Sequence, residues 1–474
     1  MTQTIRGHAT PLVLAAGAAV VLAAGAVAAA HAADPATAFT VLVAAAAAAG
    51  ALAVVPRIEP AWPLALGLIL SVFSSNWSQL GVPVGLDRPL VVLGLAAVVV
   101  RALPDAARPQ VPPLQPIHGL LAVVSIYAIG SALFAGTLFE REPLFGLTDK
   151  LGILSFALFF AAPVAFATAA QRNVLLVALV GLGAYLGLTA LFETVGLRAL
   201  VFPGYINDPS VGIHPDRARG PFVEAAANGL ALYVCAVACA VALAVWERRA
   251  ARRTAAVIGA LCLLGLLFTL TRQVWLGAAA ATLVTLLAAP GLRRYLIPTA
   301  IGMVATVLFA FAFIPGLEER ASERSGSRQP VWDRLNSNRA AVRMIEDQPL
   351  VGFGWYRFEA ESPPYYQLAE TYPMTTVPRP HSVFLATAVE LGLIGFLAWL
   401  AALVLAIGGA ITRRGPPELA PWRWGLLAVA FNWAVVANFT PLGYAFPNTV
   451  VWLWAGVVVA GSVGLLQSGA RRAP

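Results

Sequence analysis

The chain is short of charge. Only 11% of its 474 residues are Asp, Glu, Lys or Arg, against roughly 25% in soluble domains. With 59% hydrophobic residues and a mean hydropathy of +0.79, that shortage excludes a water-soluble globule. Lysine is almost absent, Lys150 standing alone, so nearly all of the 31 basic residues are arginines. The net charge of +8 raises the question of nucleic acid. The arginines, however, stand in short clusters between apolar runs, the positive-inside pattern of a membrane protein, and no nucleic-acid partner is expected. Cysteine is scarce: Cys235, Cys239 and Cys262 all fall in apolar runs, which leaves the polar loops without a disulfide framework. Acidic residues form no cluster at metal-ligand spacing, so neither a metal nor a cofactor is expected. No internal repeat is visible, and no soluble domain is expected at either end.

What the chain has is long apolar runs. At about 20 residues per span, they read as membrane helices near 11–31, 36–55, 60–78, 89–103, 116–136, 149–170, 173–195, 224–246, 254–271, 273–290, 296–314, 382–410, 424–441 and 447–466. The expected fold is all-α: residues 1–474 as one polytopic membrane domain of about 14 transmembrane helices (12–14), with one long, partly helical outer loop over 315–380. The first run ends in Ala30-His31-Ala32-Ala33, which resembles a signal-peptidase site; its length and alanine content favour an uncleaved helix. The first two spans, both alanine-rich, are expected at the periphery. An even number of spans puts both termini on one side. The short linkers of that side carry Arg57, Arg101, Arg172, the Arg248–Arg253 cluster, Arg293, Arg294, Arg413 and Arg423 among others, which makes it cytoplasmic.

Three segments on the opposite side gather the unusual residues. The loop from 196 to 223 holds Asn207, Asp208, His214, Asp216, Arg217 and Arg219, and runs through Gly220-Pro221-Phe222 into Glu224 and Asn228. The hairpin Thr269–Gln273 exposes Arg272 between two apolar runs with almost no loop to shelter it. An arginine there faces a polar cavity, pairs, or snorkels to the headgroups. The long loop reads as an amphipathic helix over Trp332–Glu346, with Leu335, Ala341, Val342 and Ile345 opposite Arg334, Arg339 and Arg343. Pro349 and Gly352-Phe353-Gly354 then break it. This loop ends in Pro380-His381-Ser382, directly before an apolar run. Histidine accepts a proton near neutral pH without a large pKa shift, so His381 reads either as a base or as a polar helix cap.

Four motifs in order resemble the O-antigen ligase and O-antigen polymerase superfamily, integral membrane glycosyltransferases of the GT-C type. They are Arg217-Ala-Arg-Gly220-Pro-Phe222 with Asn228; Leu270-Thr271-Arg272-Gln-Val-Trp275-Leu-Gly277; Asn338-Arg339 through Pro349-Leu-Val-Gly352-Phe-Gly354; and His381-Ser382 followed by Glu390-Leu-Gly392-Leu-Ile-Gly395. The likeness covers roughly 200–410. The chain departs from the family in having His381-Ser382 where His-Asn is common, and Glu224-Ala-Ala-Ala-Asn228 in place of a short turn. The resemblance implies a bacterial cytoplasmic (inner) membrane enzyme whose site faces outward. Its donor is a glycan on a polyprenyl (undecaprenyl) diphosphate, and its acceptor a hydroxyl of a glycan or glycolipid. Membrane lipid surrounds it, and the reaction is metal-independent and inverting. His381 is then the base, Arg217 and Arg272 hold the diphosphate, Arg219 and Arg339 assist, and Glu224, Asn228, His214 and Glu390 are auxiliary polar groups. The motifs do not separate a ligase from a repeat-unit polymerase of a surface polysaccharide, which would work with a chain-length regulator. A lipid-linked glycan transporter (flippase) is the remaining alternative; it would place its charges near the midplane on broken helices, whereas here they crowd one face.

Overall fold

The computed structural model of the chain describes residue 50 and residues 55–82, 85–102, 114–313, 329–366, 381–413 and 415–470. The span expected at 11–31 lies outside these residues, and that at 36–55 almost wholly so, as do 315–328 and 367–380 of the long loop. Among the described residues there is no strand. The helices that matter here are α1 (Ala61–Leu70), α2 (Asp87–Ala102), α3 (Pro116–Phe134), α4 (Ile153–Ala165), α5 (Ala169–Val195), α6 (Ala225–Val245), α7 (Arg249–Phe268), α8 (Arg272–Ala288), α9 (Leu296–Phe313), α10 (Gln329–Asp347), α11 (Val383–Leu403), α12 (Ala420–Ala437) and α13 (Ala445–Ala470). Six helical stretches are long and apolar enough to cross a membrane: Pro116–Phe134, Arg141–Ala165, Ala169–Val195, Ala225–Val245, Arg249–Phe268 and Val383–Thr412. Shorter apolar helices occupy Ala61–Phe73, Arg272–Ala288 and Ala445–Ala460. The protein is an all-helical membrane protein.

The helix ends follow local chemistry. Pro116 opens α3 behind the Gln115–His118 capping box, and Thr168 caps α5 by accepting the Gln171 amide, each satisfying donors that the first turn leaves unpaired. Gly196, in the left-handed region, closes α5. In the bundle α5, α6 and α7 pack on one another, α12 lies against α6, α8 and α13, and α13 runs along α4. Gly277 brings α8 close to α12, for a Cβ there would meet Asn432 Oδ1 at 2.3 Å. Several residues of the arginine-rich linkers meet at one end of this bundle: Arg101 pairs with Glu59 at 2.8 Å, Gln171 Nε2 donates to the same carboxylate, Arg172 reaches Glu418 at 3.5 Å and Arg413 donates to Gln115.

α11 is not the straight helix its sequence implies. Gly392 sits at φ 64 and ψ 177 and breaks it. The Pro349–Gly354 turn docks into the break. Phe353 and Gly354 donate their amides to the Val389 and Glu390 carbonyls, and Leu393 and Ile394 donate theirs to Pro349 and Leu350. The helix bonds lost at the break are thus replaced by bonds to the turn. Only glycine fits this junction. A Cβ on Gly352, at φ +70, would stand 2.3 Å from the Val389 oxygen and 2.4 Å from the Gly392 nitrogen. Gly352→Ala should therefore destabilise the protein by roughly 1–3 kcal/mol or more, read as a lower melting temperature of detergent-solubilised protein. An unchanged melting temperature would mean that the turn is not docked.

The amphipathic helix of the long loop forms as expected, and its inner face agrees with the expected one at Ala341 and Ile345 but not at Leu335 and Val342. Ala340, Ala341 and Met344 are buried, while Leu335 and Val342 are exposed. Together with Phe358 and Val389, Ala341 and Met344 make a small core between α10 and α11. Ala340 and Ala341 allow the close approach to α11 and, with Met344 and Ile345, mark the inner face, which Leu335 and Val342 do not share.

Candidate active site

The Arg217 loop is tied down on three sides. Glu193, in the last turn of α5, accepts the Arg219 amide on one carboxylate oxygen and the Gly220 amide on the other, each at 3.1 Å. The buried Asn228 Nδ2 donates to the Ala218 carbonyl. The Ala218 amide donates to the carbonyl of Phe268 at 3.1 Å. That last bond joins the first two motifs, since Phe268 ends α7 and Arg272 begins α8 four residues later. Arg217 and Arg272 therefore rise from one packed platform, with Thr269 and Thr271 buried beneath the hairpin.

The members of this platform differ in what they offer a ligand. Arg272 is exposed at the head of α8. Arg217 is half-buried and acts electrostatically on Glu224. Arg219 is 1% exposed; its guanidinium donates to the carbonyls of Val211, Ile206 and Asp208 and so folds the loop around itself. Glu224 caps α6, accepting the Ala226 and Ala227 amides. His214 lies exposed on the loop at φ 52, and its carbonyl accepts the Arg217 amide.

His381 stands two residues ahead of α11. The next residue, Ser382, is the helix cap, its hydroxyl accepting the Leu385 amide. The capping role thus falls to Ser382 and leaves the imidazole half-buried beside α10. Burial and the neighbouring Arg334 guanidinium hold its pKa below the usual value, while Asp333 pulls the other way. A histidine with a lowered pKa is neutral at physiological pH, the form that can accept a proton. Arg339, expected as the helper on this helix, is exposed. Five residues separate it from Arg334, about 140° around a helix of 3.6 residues per turn, so the two cannot share a face. Glu390, buried at 3% exposure, pairs with Lys150 at 3.9 Å; it lies two turns below His381 and belongs to the helix junction.

The two clusters meet through α12 and the turn that follows it. Phe384, three residues after His381 in the first turn of α11, packs on Trp433 of α12. The Trp433 indole donates to Asn448, which donates to the Leu442 and Tyr444 carbonyls of the turn. Tyr444 packs edge-on against Phe222 of the Arg217 motif, centroids 5.7 Å apart, and Thr440 hydrogen-bonds Gln273, beside Arg272. One turn, residues 438–444, thus touches the Arg217 loop and the Arg272 hairpin directly and the His381 helix through Trp433. Sequence reasoning named Arg334 on the polar face of the loop helix without giving it a role, and missed Glu193 and this turn. The Pro441-Leu-Gly443 sequence between two apolar runs was its one visible signal.

Chemically, the arrangement offers guanidinium groups suited to phosphate, which they bind bidentately without deprotonating, and a neutral imidazole with a guanidinium beside it. Among the described residues no group of three or more His, Cys, Asp or Glu is placed to hold a metal ion. Compared with known proteins, residues 254–400 match the family model described as O-antigen ligase. The match runs from α7 to α11 and so includes Arg272, the α10 helix, the docked turn and His381; the Arg217 loop lies before it. No curated protein matches the chain.

Proposed function

We propose, from the premise that a chain with an O-antigen ligase domain at residues 254–400 belongs to that superfamily of membrane glycosyltransferases, that this protein moves a glycan from a polyprenyl diphosphate to a hydroxyl of an acceptor glycan or glycolipid. The reading supported best is ligase-like. The site opens on the face opposite the Arg101–Glu59 and Arg172–Glu418 end of the bundle. Under the positive-inside rule that is the outer face of the bacterial cytoplasmic membrane, with both termini inside.

In this reading Arg217 and Arg272 grip the diphosphate, whose charge grows as the sugar–phosphate bond breaks. Preorganised donors aimed at developing charge stabilise the transition state most where water is excluded. His381 takes the proton of the acceptor hydroxyl as it attacks the anomeric carbon, and a single displacement inverts that carbon. Arg334, beside His381, keeps the imidazole unprotonated and adds a positive charge near the departing group. Arg219 shapes the loop that presents Arg217 and does not itself reach the substrate. Arg339 is left outside the site, Glu224 and Asn228 hold the Arg217 loop onto α6, and His214 forms part of that loop's surface. The observation that carries the reading is the Ala218–Phe268 hydrogen bond, because it makes two distant arginine motifs into one anion platform.

The test is purified protein incubated with a lipid-diphosphate glycan and a glycolipid acceptor. Release of lipid diphosphate with transfer to the glycolipid is expected, undiminished by EDTA. Strong inhibition by EDTA would point to a metal, elongation of the donor itself would make the protein a polymerase, and flipping without release would make it a transporter.

A further inference from the structure

Beneath the His381 segment lies a charged junction that the proposed chemistry does not use. Lys150, the chain's one lysine, sits in a π-helical stretch, Gly146–Leu151, a form often found at functional sites. Its Nζ is 3.9 Å from Glu390 Oε2, with the two side chains 11% and 3% exposed, and 5.7 Å from the centre of the Trp355 ring. The Tyr356 amide also hydrogen-bonds Glu390. Ionisable groups inside apolar helices are costly and persist where they pair or act.

The surroundings show what the pair holds. Gly392 interrupts α11, so Val383–Leu391 does not inherit its direction from the rest of the helix. That segment rests on the wedge of residues 352–357, which is bolted to the N-terminal half of the chain. Trp355 Nε1 donates to Pro143, the Trp355 carbonyl accepts from Thr137, and Arg357 Nε donates to Ala135. Lys150 belongs to that same half and reaches across to Glu390. The Tyr127 hydroxyl, from α3, donates to the Leu391 carbonyl at the break itself.

We propose that Lys150, acting through Glu390, is a positioning residue for His381: the pair fixes the two-turn segment Val383–Leu391 against the wedge and thereby sets where the imidazole stands. This rests on reading His381 as the base. It places a determinant of the reaction in the N-terminal third, outside the 254–400 match.

The test uses the fact that replacing both members of a buried ion pair by apolar residues is often neutral or stabilising. The double variant Lys150→Met, Glu390→Met should melt like the wild type in detergent. Its kcat should drop about 10- to 100-fold, the scale of a catalytic group displaced by ~1 Å, with KM for the lipid donor unchanged. Lys150→Arg should keep most of the rate. A folded double variant with wild-type kcat overturns the proposal when His381→Ala is inactive in the same assay. If His381→Ala is itself active, the reading of His381 as base falls first and the positioning role falls with it. Should the double variant not fold, Glu390→Gln serves: hydrogen exchange over 383–391 should quicken and kcat should drop, and wild-type exchange with wild-type kcat overturns the idea.

Discussion

His381→Ala should lower glycan transfer by about 10²–10⁴-fold, the usual contribution of a positioned base, while the protein still inserts and folds. Little folding energy is at stake, since Ser382 supplies the helix cap and the imidazole is only half-buried. The wild-type pH profile should carry the same signature. Burial and Arg334 lower the His381 pKa from 6.5. The base is therefore neutral above a pKa that lies under 6.5, and turnover is lost as pH falls through that lowered value. Arg334→Gln removes the opposing charge and should move the acidic limb toward higher pH, besides slowing the reaction. A limb centred above 6.5 in the wild type would assign the titrating group elsewhere, and a near-normal rate in His381→Ala would leave the enzyme without its base.

Much of the candidate site was legible because its residue types are expensive in a membrane. Arg272 between two apolar runs, and His381 at the mouth of another, advertise themselves by the free energy of placing a polar group there. What stayed hidden was direction. The stretch from Val383 to Leu403 reads as one apolar helix, and Gly392-Leu-Ile-Gly395 passes for ordinary membrane-helix glycine. The Gly392 backbone and the carbonyl and amide exchange with Pro349–Gly354 show that the helix is broken. Hydrophobicity likewise found only part of the inner face of α10: Ala341 and Ile345 pack inward as expected, but it weighs the exposed Leu335 and Val342 above the buried Ala340. Close helix packing selects small residues, which a hydrophobicity reading ranks low. Glu193 and Lys150 were missed for a different reason. Each lies at an end of an apolar run, where a charge needs no explanation until its partner, respectively the Gly220 amide and Glu390, is seen.

Arg272→Lys is the sharper test of the anion platform, because it keeps the charge and removes the fork. We expect kcat/KM for the lipid-diphosphate donor to drop roughly ten- to hundredfold, somewhat less than the loss of ~10²–10³ typical when a transition-state donor is deleted outright. An ammonium ion is a point charge on a flexible stem. It can attract a diphosphate, but it cannot hold two of its oxygens in a fixed plane. The alternative role, a guanidinium that snorkels to lipid headgroups, predicts the opposite outcome, since lysine snorkels equally well. The structure supplies a reason for rigidity at this position. Arg272 follows Leu270, which lies in the left-handed region at φ 48, and the buried Thr271, and the next residue, Gln273, is tethered to Thr440. With the backbone on both sides fixed, the first atoms of the side chain are aimed and only its end adapts. Arg217→Lys should behave in the same way, since the Ala218 amide anchors it to the same hairpin through Phe268. If the two sites grip one diphosphate, the double variant should lose less than the product of the two single losses, because the second substitution acts on a grip already loosened. Strictly multiplicative losses would mean that the two arginines serve separate ligands.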